Sequence, residues 1–386
     1  MPVISDRLRS LPPYPLQDVP RIRRELHAKG VDVIDLGAGD ADLAPPPAAV
    51  EALRAAACDP VNSRYGFQIG LADFREEIVR WMERRFGVRL DAYREVLPLI
   101  GSKEGIFHLP FAFVNPGDAT IVPDPGYQAY LGGTILAGGE PYIVPLRPEH
   151  RFLIPLDEIP EEVARRAKVL YLNYPNNPTS AAAPRGYLEE AVEFCRRHDI
   201  VLAYDNAYSE IAFDGYVPPS ILEIPGASEV AIEFHSLSKT YNMTGWRVGW
   251  AAGCPELIAS LQRVKTFGDT GLPLFIQYAA TAALRSHGEW LPFNLEVFRQ
   301  RRDAAVTGLR EVGLELEAPS ATMYLWVPLP EGVASEPWAR RLLLKQGVAV
   351  MPGFSLGPGG EGFFRIALTC TEERLREAAR RIGQVL

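Results

Sequence analysis

Ser236-Leu237-Ser238-Lys239-Thr240-Tyr241-Asn242-Met243-Thr244-Gly245-Trp246-Arg247-Val248-Gly249 sets one lysine in a small polar loop, and an arginine between two glycines follows eight residues later. The apolar run Val230 to Phe234 just before it predicts a buried strand. A lysine at the end of such a strand is partly desolvated, which favours the neutral amine and makes it a nucleophile toward an aldehyde. Lys239 is the expected nucleophile. Ser236, Ser238 and Arg247 surround it with two hydroxyls and a guanidinium, a donor set that suits a phosphate dianion. Taken singly, Lys239 reads as a solvated loop lysine and Arg247 as a surface arginine. Together they call for an aldehyde that carries a phosphate, which is pyridoxal phosphate.

The chain has 386 residues, enough for two domains sharing a core. A hydrophobic content of 47% and a charged content of 23% are ordinary for a globular chain, and a net charge of −8 argues against a nucleic-acid surface. Small metabolites are the expected partners. Cys58, Cys195, Cys254 and Cys370 form no Cys-x-x-Cys pair, so neither a disulfide framework nor a zinc site is expected. No histidine has metal-ligand or triad spacing to another candidate. Met1 to Pro15 lacks the apolar core of a secretory signal and no stretch approaches a membrane span, which makes the cytoplasm the expected compartment.

In chain order, a helix near Val19 to Lys29 and a strand from Val31 to Leu36 lead into Gly37-Ala38-Gly39. A dinucleotide fingerprint needs its third glycine at position 42, which is Asp, so that reading fails. Gly39 stays open as a plain turn glycine or as a place where the backbone approaches a ligand carboxylate. Beyond Pro45-Pro46-Pro47 the pattern predicts helices Ala48 to Ala57 and Leu71 to Phe86, with Tyr65-Gly66-Phe67-Gln68-Ile69-Gly70 between them. Val96 to Ile100 predicts a strand, and Gly101-Ser102-Lys103-Glu104-Gly105 opens an apolar helix from Ile106 to Val114. Free N–H groups at a helix start suit phosphate, and without a Walker pattern no nucleoside triphosphate is expected.

Thr120 to Val122, Val169 to Leu172, Ile200 to Tyr204 and Val248 to Ala252 predict further buried strands. One runs into Asn173-Tyr174-Pro175-Asn176-Asn177-Pro178-Thr179-Ser180, and another ends in Asp205 with Tyr208 three residues on. A carboxylate at the C-terminal end of a parallel strand faces the ligand crevice, although an isolated Asp there also reads as a helix N-cap. Downstream, Pro255 to Lys265 and Trp290 to Val312 predict helices, with Arg299, Arg301 and Arg302 as a solvated face of the second. Thr322 to Val327, Val348 to Met351 and Phe363 to Leu368 then alternate with a final helix, Glu372 to Val385, in a small α/β lobe.

The lysine stretch resembles the cofactor-lysine signature of class I/II aminotransferases. Matches continue in family order at Gly39, Tyr65, Gly101 to Lys103, Tyr127, Asn177, Asp205, Tyr208 and Arg365. Within that family the Gly-Ser-Lys-Glu-Gly, Asn-Tyr-Pro-Asn-Asn-Pro-Thr and Asp-Asn-Ala-Tyr-Ser-Glu stretches look most like bacterial LL-diaminopimelate aminotransferases. The resemblance implies the α/β fold type I of pyridoxal-phosphate transferases. In it a large domain with a mostly parallel sheet, 46–282, joins a smaller α/β domain made from 1–45 and 283–386. It also implies a homodimer in which Tyr65 reaches the neighbouring subunit's phosphate.

The family's roles carry over residue by residue. Ser102, Lys103, Ser236, Ser238 and Arg247 would hold the cofactor around its phosphate, Tyr127 would stack on the ring, and Asn177 and Tyr208 would meet its phenolic oxygen. Asp205 would hold the ring nitrogen, Lys239 would bind the cofactor and shuttle a proton, and Arg365 would fork the substrate carboxylate, with Gly39, Asn177 and Tyr14 beside it. The implied reaction is a ping-pong transfer of an amino group from an L-amino acid, first LL-diaminopimelate, to 2-oxoglutarate, a step of lysine biosynthesis. Ser180 departs from the family's glycine, Gln68 and Ile69 from a glutamate, and Thr266 to Pro273 from a stretch with an asparagine. A simpler, neutral or aromatic amino acid therefore stays open as donor. A carbon–sulfur β-lyase would share every cofactor residue, whereas a non-catalytic cofactor-binding regulator would need a DNA-binding domain for which the chain has no room.

Overall fold

Apolar runs that no polar residue interrupts become strands covered on both faces. The computed structural model describes residues 3–12, 19–66 and 69–386. Its strands are β1 (Ile34–Asp35), β2 (Val96–Leu99), β3 (Ala119–Asp124), β4 (Glu140–Pro145), β5 (Ala167–Leu172), β6 (Val201–Asp205), β7 (Ala231–Ser236), β8 (Gly249–Gly253), β9 (Tyr324–Pro328), β10 (Val348–Ala349), β11 (Met351–Pro352) and β12 (Phe363–Ala367). Seven of them form one sheet in the order β2-β8-β7-β6-β5-β3-β4. Its neighbours pair parallel, except that β8 runs antiparallel to both β2 and β7.

The period of two along a strand sends alternate residues into separate cores. Leu170, Leu172, Leu202 and Tyr204 pack with Leu188, Ala191 and Val192 of the helix Arg185–His198. Val169, Tyr171, Ala203 and Phe234 face the opposite way, toward Ile106 and Leu109 of the helix Ser102–Phe113 and Leu257 and Leu261 of the helix Pro255–Gly268. The sheet is thus the middle layer of three, as an α/β fold with parallel strands requires.

A further core gathers β9, β12 and the helices His287–Glu311, Ser335–Gln346 and Glu372–Gly383, together with Ile34 and Leu36 near the N-terminus. Tyr208, Ile211 and Phe213, which follow β6, also pack into it. Here β9, β11 and β12 form an antiparallel sheet in the order β11-β12-β9, and β1 pairs in parallel with β10.

The structure redraws three expectations. Val348 to Met351 is not one strand: Val348 and Ala349 pair with β1, whereas Met351 and Pro352 pair with β12. The strand expected from Val31 to Leu36 shortens to Ile34–Asp35 because β10 offers only two partners. Most consequential, Arg301 and Arg302 are not a solvated face. Their side chains are 5% exposed, and only Arg299 is on the surface. Arg301 forks Asp42 with two hydrogen bonds of 2.7 Å and donates to the Leu368 carbonyl at 3.1 Å. Arg302 donates to Asp214 and, at 2.8 Å, to Asp303.

Removing one partner of a buried ion pair strands the other charge, whereas removing both is far cheaper. Asp42→Ala should therefore lower the stability of the cofactor-free protein by about 3 kcal/mol in urea unfolding. The double variant Asp42→Ala/Arg301→Met should recover most of that loss. Equal losses in the single and double variants would show that the pair does not act as a unit.

Candidate active site

The C-terminal ends of β2, β3, β5, β6 and β7 share one edge of the sheet, and the residues that precede antiparallel β8 emerge beside them. That edge is where an open parallel sheet makes its crevice. A cavity of about 500 Å³ lies there. Gly39, Ser102, Lys103, Tyr127, Asn177, Asp205, Tyr208, Ser236, Ser238, Lys239, Arg247 and Arg365 all line it. Two expected residues do not join them. Tyr14 lies, with Gln68, outside the described residues, and Tyr65 is 70% exposed and away from this chain's own cavity.

Asp205 ends β6 and is buried. The Tyr130 hydroxyl donates to its Oδ2 at 2.8 Å, and the Asn173 side-chain amide donates to its backbone carbonyl at 2.6 Å. Oδ1 is buried without a hydrogen-bond partner among the described residues. Burial pushes this carboxyl up to about 6, and the hydrogen bond from Tyr130, the proximity of His235 and the backbone N–H of Ala207 keep it from rising further. An acceptor held this way, with one oxygen satisfied and one open, fits a ring N–H.

The end of the cavity formed by Ser236, Ser238 and Arg247 is built largely from backbone geometry. Ser236 caps the short helix Leu237–Thr240, its Oγ accepting from the Ser238 N–H at 3.2 Å, and the Ser238 carbonyl accepts from Thr244 Oγ1 at 3.1 Å. Arg247 adopts a left-handed φ of 55°, and its Nη1 donates to the Thr244 carbonyl at 2.8 Å. Its guanidinium passes directly over Gly101, where a Cβ would lie 2.6 Å from Nη2 and where φ is +74°. The positive φ is what calls for glycine there. Gly101 in turn caps the helix Ser102–Phe113. Two serine hydroxyls, a guanidinium and an open helix N-terminus make an anion cradle.

Across the cavity the Gly37–Gly39 segment meets two cations. Lys239 Nζ donates to the Gly39 carbonyl, and Arg365 Nη2 donates to the Gly37 carbonyl at 2.8 Å. A Cβ on Gly39 would collide with the Tyr324 hydroxyl, so close approach and not merely a turn fixes this glycine. Arg365 Nη1 donates to Asn177 Oδ1 at 2.6 Å, and both side chains line the cavity. The Arg365 guanidinium also lies 4.2 Å over the Tyr324 ring. Lys103 Nζ sits 5.5 Å from the centre of the Tyr127 ring.

The Tyr208 and Tyr324 hydroxyls are 3.4 Å apart. Burial pushes the Tyr208 phenol up, so it keeps its proton and can donate. Burial would raise Tyr324 as well, but the nearby charges of Lys239 and Arg365 outweigh it and bring that phenol below its ordinary value.

Tyr130, Asn173 and Tyr324 are parts of the site that sequence reasoning did not single out. A signal existed for the first, since Tyr130 stands three residues after Tyr127 and so on the same helix face. Ser180 has a left-handed φ of 58°, which explains why glycine suits the position. Its Oγ offsets the strain by bonding Thr322 Oγ1 at 2.8 Å and the Tyr324 carbonyl at 2.9 Å. Among the described residues no group of three or more His, Cys, Asp or Glu could hold a metal ion.

The donor set fits pyridoxal phosphate at four points: an amine for the aldehyde, an open buried carboxylate oxygen for the ring nitrogen, aromatic Tyr127 for the ring, and the cradle for the phosphate. The model of the family "Aminotransferase class I and II" matches residues 31–382. An LL-diaminopimelate aminotransferase of Nitratidesulfovibrio vulgaris (strain DP4) is 48% identical over 383 residues, covering 99% of each chain. LL-diaminopimelate aminotransferase 2 of Trichormus variabilis is 51% identical over 379 residues, covering 98% of this chain and 97% of the relative. The structure of a probable N-succinyldiaminopimelate aminotransferase from Thermus thermophilus superposes with a TM-score of 0.91 at 43% identity, covering 95% of this chain and 99% of that one. The chain therefore belongs to the class I and II aminotransferases, the pyridoxal-phosphate-dependent transaminases of fold type I.

Proposed function

We propose that this aminotransferase takes its amino group from LL-diaminopimelate and delivers it to 2-oxoglutarate. The observation that carries the donor assignment is the charge of the cavity wall. Besides Arg365, the same cavity is lined by Lys103 and Asp40 and by Arg23, which is ion-paired with Asp35. A donor with a second ammonium and a second carboxylate needs acceptors and donors at its far end, because either charge is costly to bury unpaired. A neutral amino acid needs neither. The names of the curated relatives, at 48% and 51% identity, support the same donor.

When bound, pyridoxal phosphate supplies an electron-withdrawing ring that stabilises negative charge at the substrate Cα. The chain's own residues do the rest in this reading. Ser102, Ser236, Ser238 and Arg247 hold the phosphate with the helix N-terminus behind them, and Tyr127 covers the ring. Asp205 Oδ1 would accept the ring N–H, while the Tyr130 hydroxyl holds Oδ2. Asn177 and Tyr208 donate to the phenolic oxygen. Arg365 exchanges its hold on Asn177 and Gly37 for the substrate carboxylate, a planar anion that matches its fork. Lys239, as a free amine, would carry the proton from the substrate Cα.

The partition into 46–282 and 1–45 with 283–386 belongs to this proposal, as do a homodimer and the cytoplasm. The exposed Tyr65, which does not line its own chain's cavity, supports a dimer in which it serves the neighbouring site. Among the described residues no helix is long and apolar enough to cross a membrane.

The Asp205 reading has a signature in stability. In the cofactor-free protein burial raises this carboxyl from 3.8 to about 6, so folding favours its protonated form. The stability this contributes is complete below about pH 4, is lost as pH rises through about 6, and amounts to about 3 kcal/mol. Asp205→Asn has no charge to bury. In urea unfolding of the cofactor-free proteins the wild type should fall behind the variant by about that much between about pH 4 and pH 7. Parallel curves over that range would contradict it.

The donor is tested by single-turnover loss of cofactor absorbance against LL-diaminopimelate, glutamate, aspartate, alanine, methionine and aromatic amino acids. Lys239→Ala, expected to lose at least roughly 10³-fold in rate, serves as the blank. LL-diaminopimelate should give the largest ratio of rate to affinity. A neutral amino acid ahead of it would make exposed, apolar Ile69 and Phe267 the specificity residues and overturn the assignment.

A further inference from the structure

Lys265, in the last turn of the helix Pro255–Gly268, is fully buried and lies outside the cavity. A buried ammonium is tolerated only with close, well-placed partners. Lys265 has four: Nζ lies 3.0 and 2.9 Å from the two Glu104 oxygens and 2.9 and 2.8 Å from the two Asp269 oxygens.

Glu104 stands immediately after Ser102 and Lys103, in the first turn of the helix that caps on Gly101. Its Oε2 also accepts the Ile100 N–H at 2.7 Å, and His108 Nδ1 lies 3.4 Å from Oε1. The carboxylate therefore grips the chain on both sides of Gly101. The Arg247 guanidinium lies directly against that turn at Gly101.

On the other side Asp269 Oδ1 accepts the Gly271 N–H at 2.6 Å. The Leu272 carbonyl then accepts from Gln277 Nε2 at 2.7 Å, and Gln277 Oε1 accepts from the Leu71 N–H at 2.7 Å. One ammonium thus ties the turn 100–104 to the segments 269–272 and 71. Without it, two carboxylates would face each other with nothing between them, and like charges so placed repel.

We propose that Lys265 is a positioning residue for the cofactor phosphate: through Glu104 it holds the turn at Gly101 and Ser102 in the geometry that receives the anion. This rests on the reading that this turn, with Arg247, is the phosphate cradle.

The test compares two ligands of the cofactor-free full chain, pyridoxal phosphate and pyridoxal, which differ only in the phosphate. Dissociation constants come from fluorescence titration, and far-ultraviolet circular dichroism reports folding. Lys265→Met should weaken pyridoxal phosphate at least tenfold and change pyridoxal less than twofold. Glu104→Gln, which keeps the side chain's shape, should shift the pair in the same direction and decides the matter if Lys265→Met does not fold. Equal weakening of both ligands, or of neither, would reduce Lys265 to a structural ion pair and overturn the proposal. The underlying reading fails separately: Ser102→Ala with Arg247→Gln would then leave pyridoxal phosphate binding unchanged in the Lys265 background.

Discussion

A carboxylate buried with one oxygen open is the constraint on which this site rests. Asp205 is desolvated, its Oδ2 is satisfied by Tyr130, and its Oδ1 has no partner among the described residues. A buried polar atom left unpaired costs on the order of 1–3 kcal/mol, more when charged. The sheet sustains that cost by over-determining the position. β6 is held between β5 and β7, Asn173 fixes the Asp205 carbonyl, and Tyr130 comes from the helix Gln128–Ala137 on the neighbouring core. A ring N–H offered to Oδ1 relieves the cost, so the structure that is least stable without the cofactor is the one prepared to bind it.

The cations follow a related logic. Lys239 follows β7 of the seven-stranded sheet and Arg365 lies on β12 of the smaller one, yet both donate to carbonyls of the Gly37–Gly39 segment, and Tyr324 packs against Arg365 and Gly39. These carbonyls are weak partners compared with a carboxylate, so the cations are held in place and remain available to charged ligands. Arg247 and Gly101 show the opposite strategy. There an arginine and a glycine, both at positive φ, lie in direct contact, and the arginine is held further by the Thr244 carbonyl.

What the sequence discloses follows from how local the chemistry is. The polar lining of the cavity is legible because each of its parts sits at, or soon after, the end of an apolar strand: Gly101 and Ser102 after β2, Asn177 after β5, Asp205 closing β6, Lys239 after β7. A strand's apolar run and the polar residue that ends it are adjacent in sequence, so one reading yields both. Tyr324 and Arg301 escape that logic. Tyr324 is an ordinary aromatic in a strand until the fold brings Gly39 against it, and Arg301 looks solvated because its partner, Asp42, is 259 residues away. The division of Val348 to Met351 between β10 and β11 is hidden for the same reason, since its two halves answer to different distant partners.

The central claim is that the open oxygen of Asp205 keeps the cofactor's ring nitrogen protonated. The most direct measurement is the nitrogen-15 resonance of ring-labelled pyridoxal phosphate bound to the wild type and to Asp205→Asn, both at about pH 8. The wild type should show a protonated pyridinium at this pH, and the variant should show a neutral pyridine. A neutral nitrogen in the wild type, or the same protonated resonance in both proteins, would contradict the account.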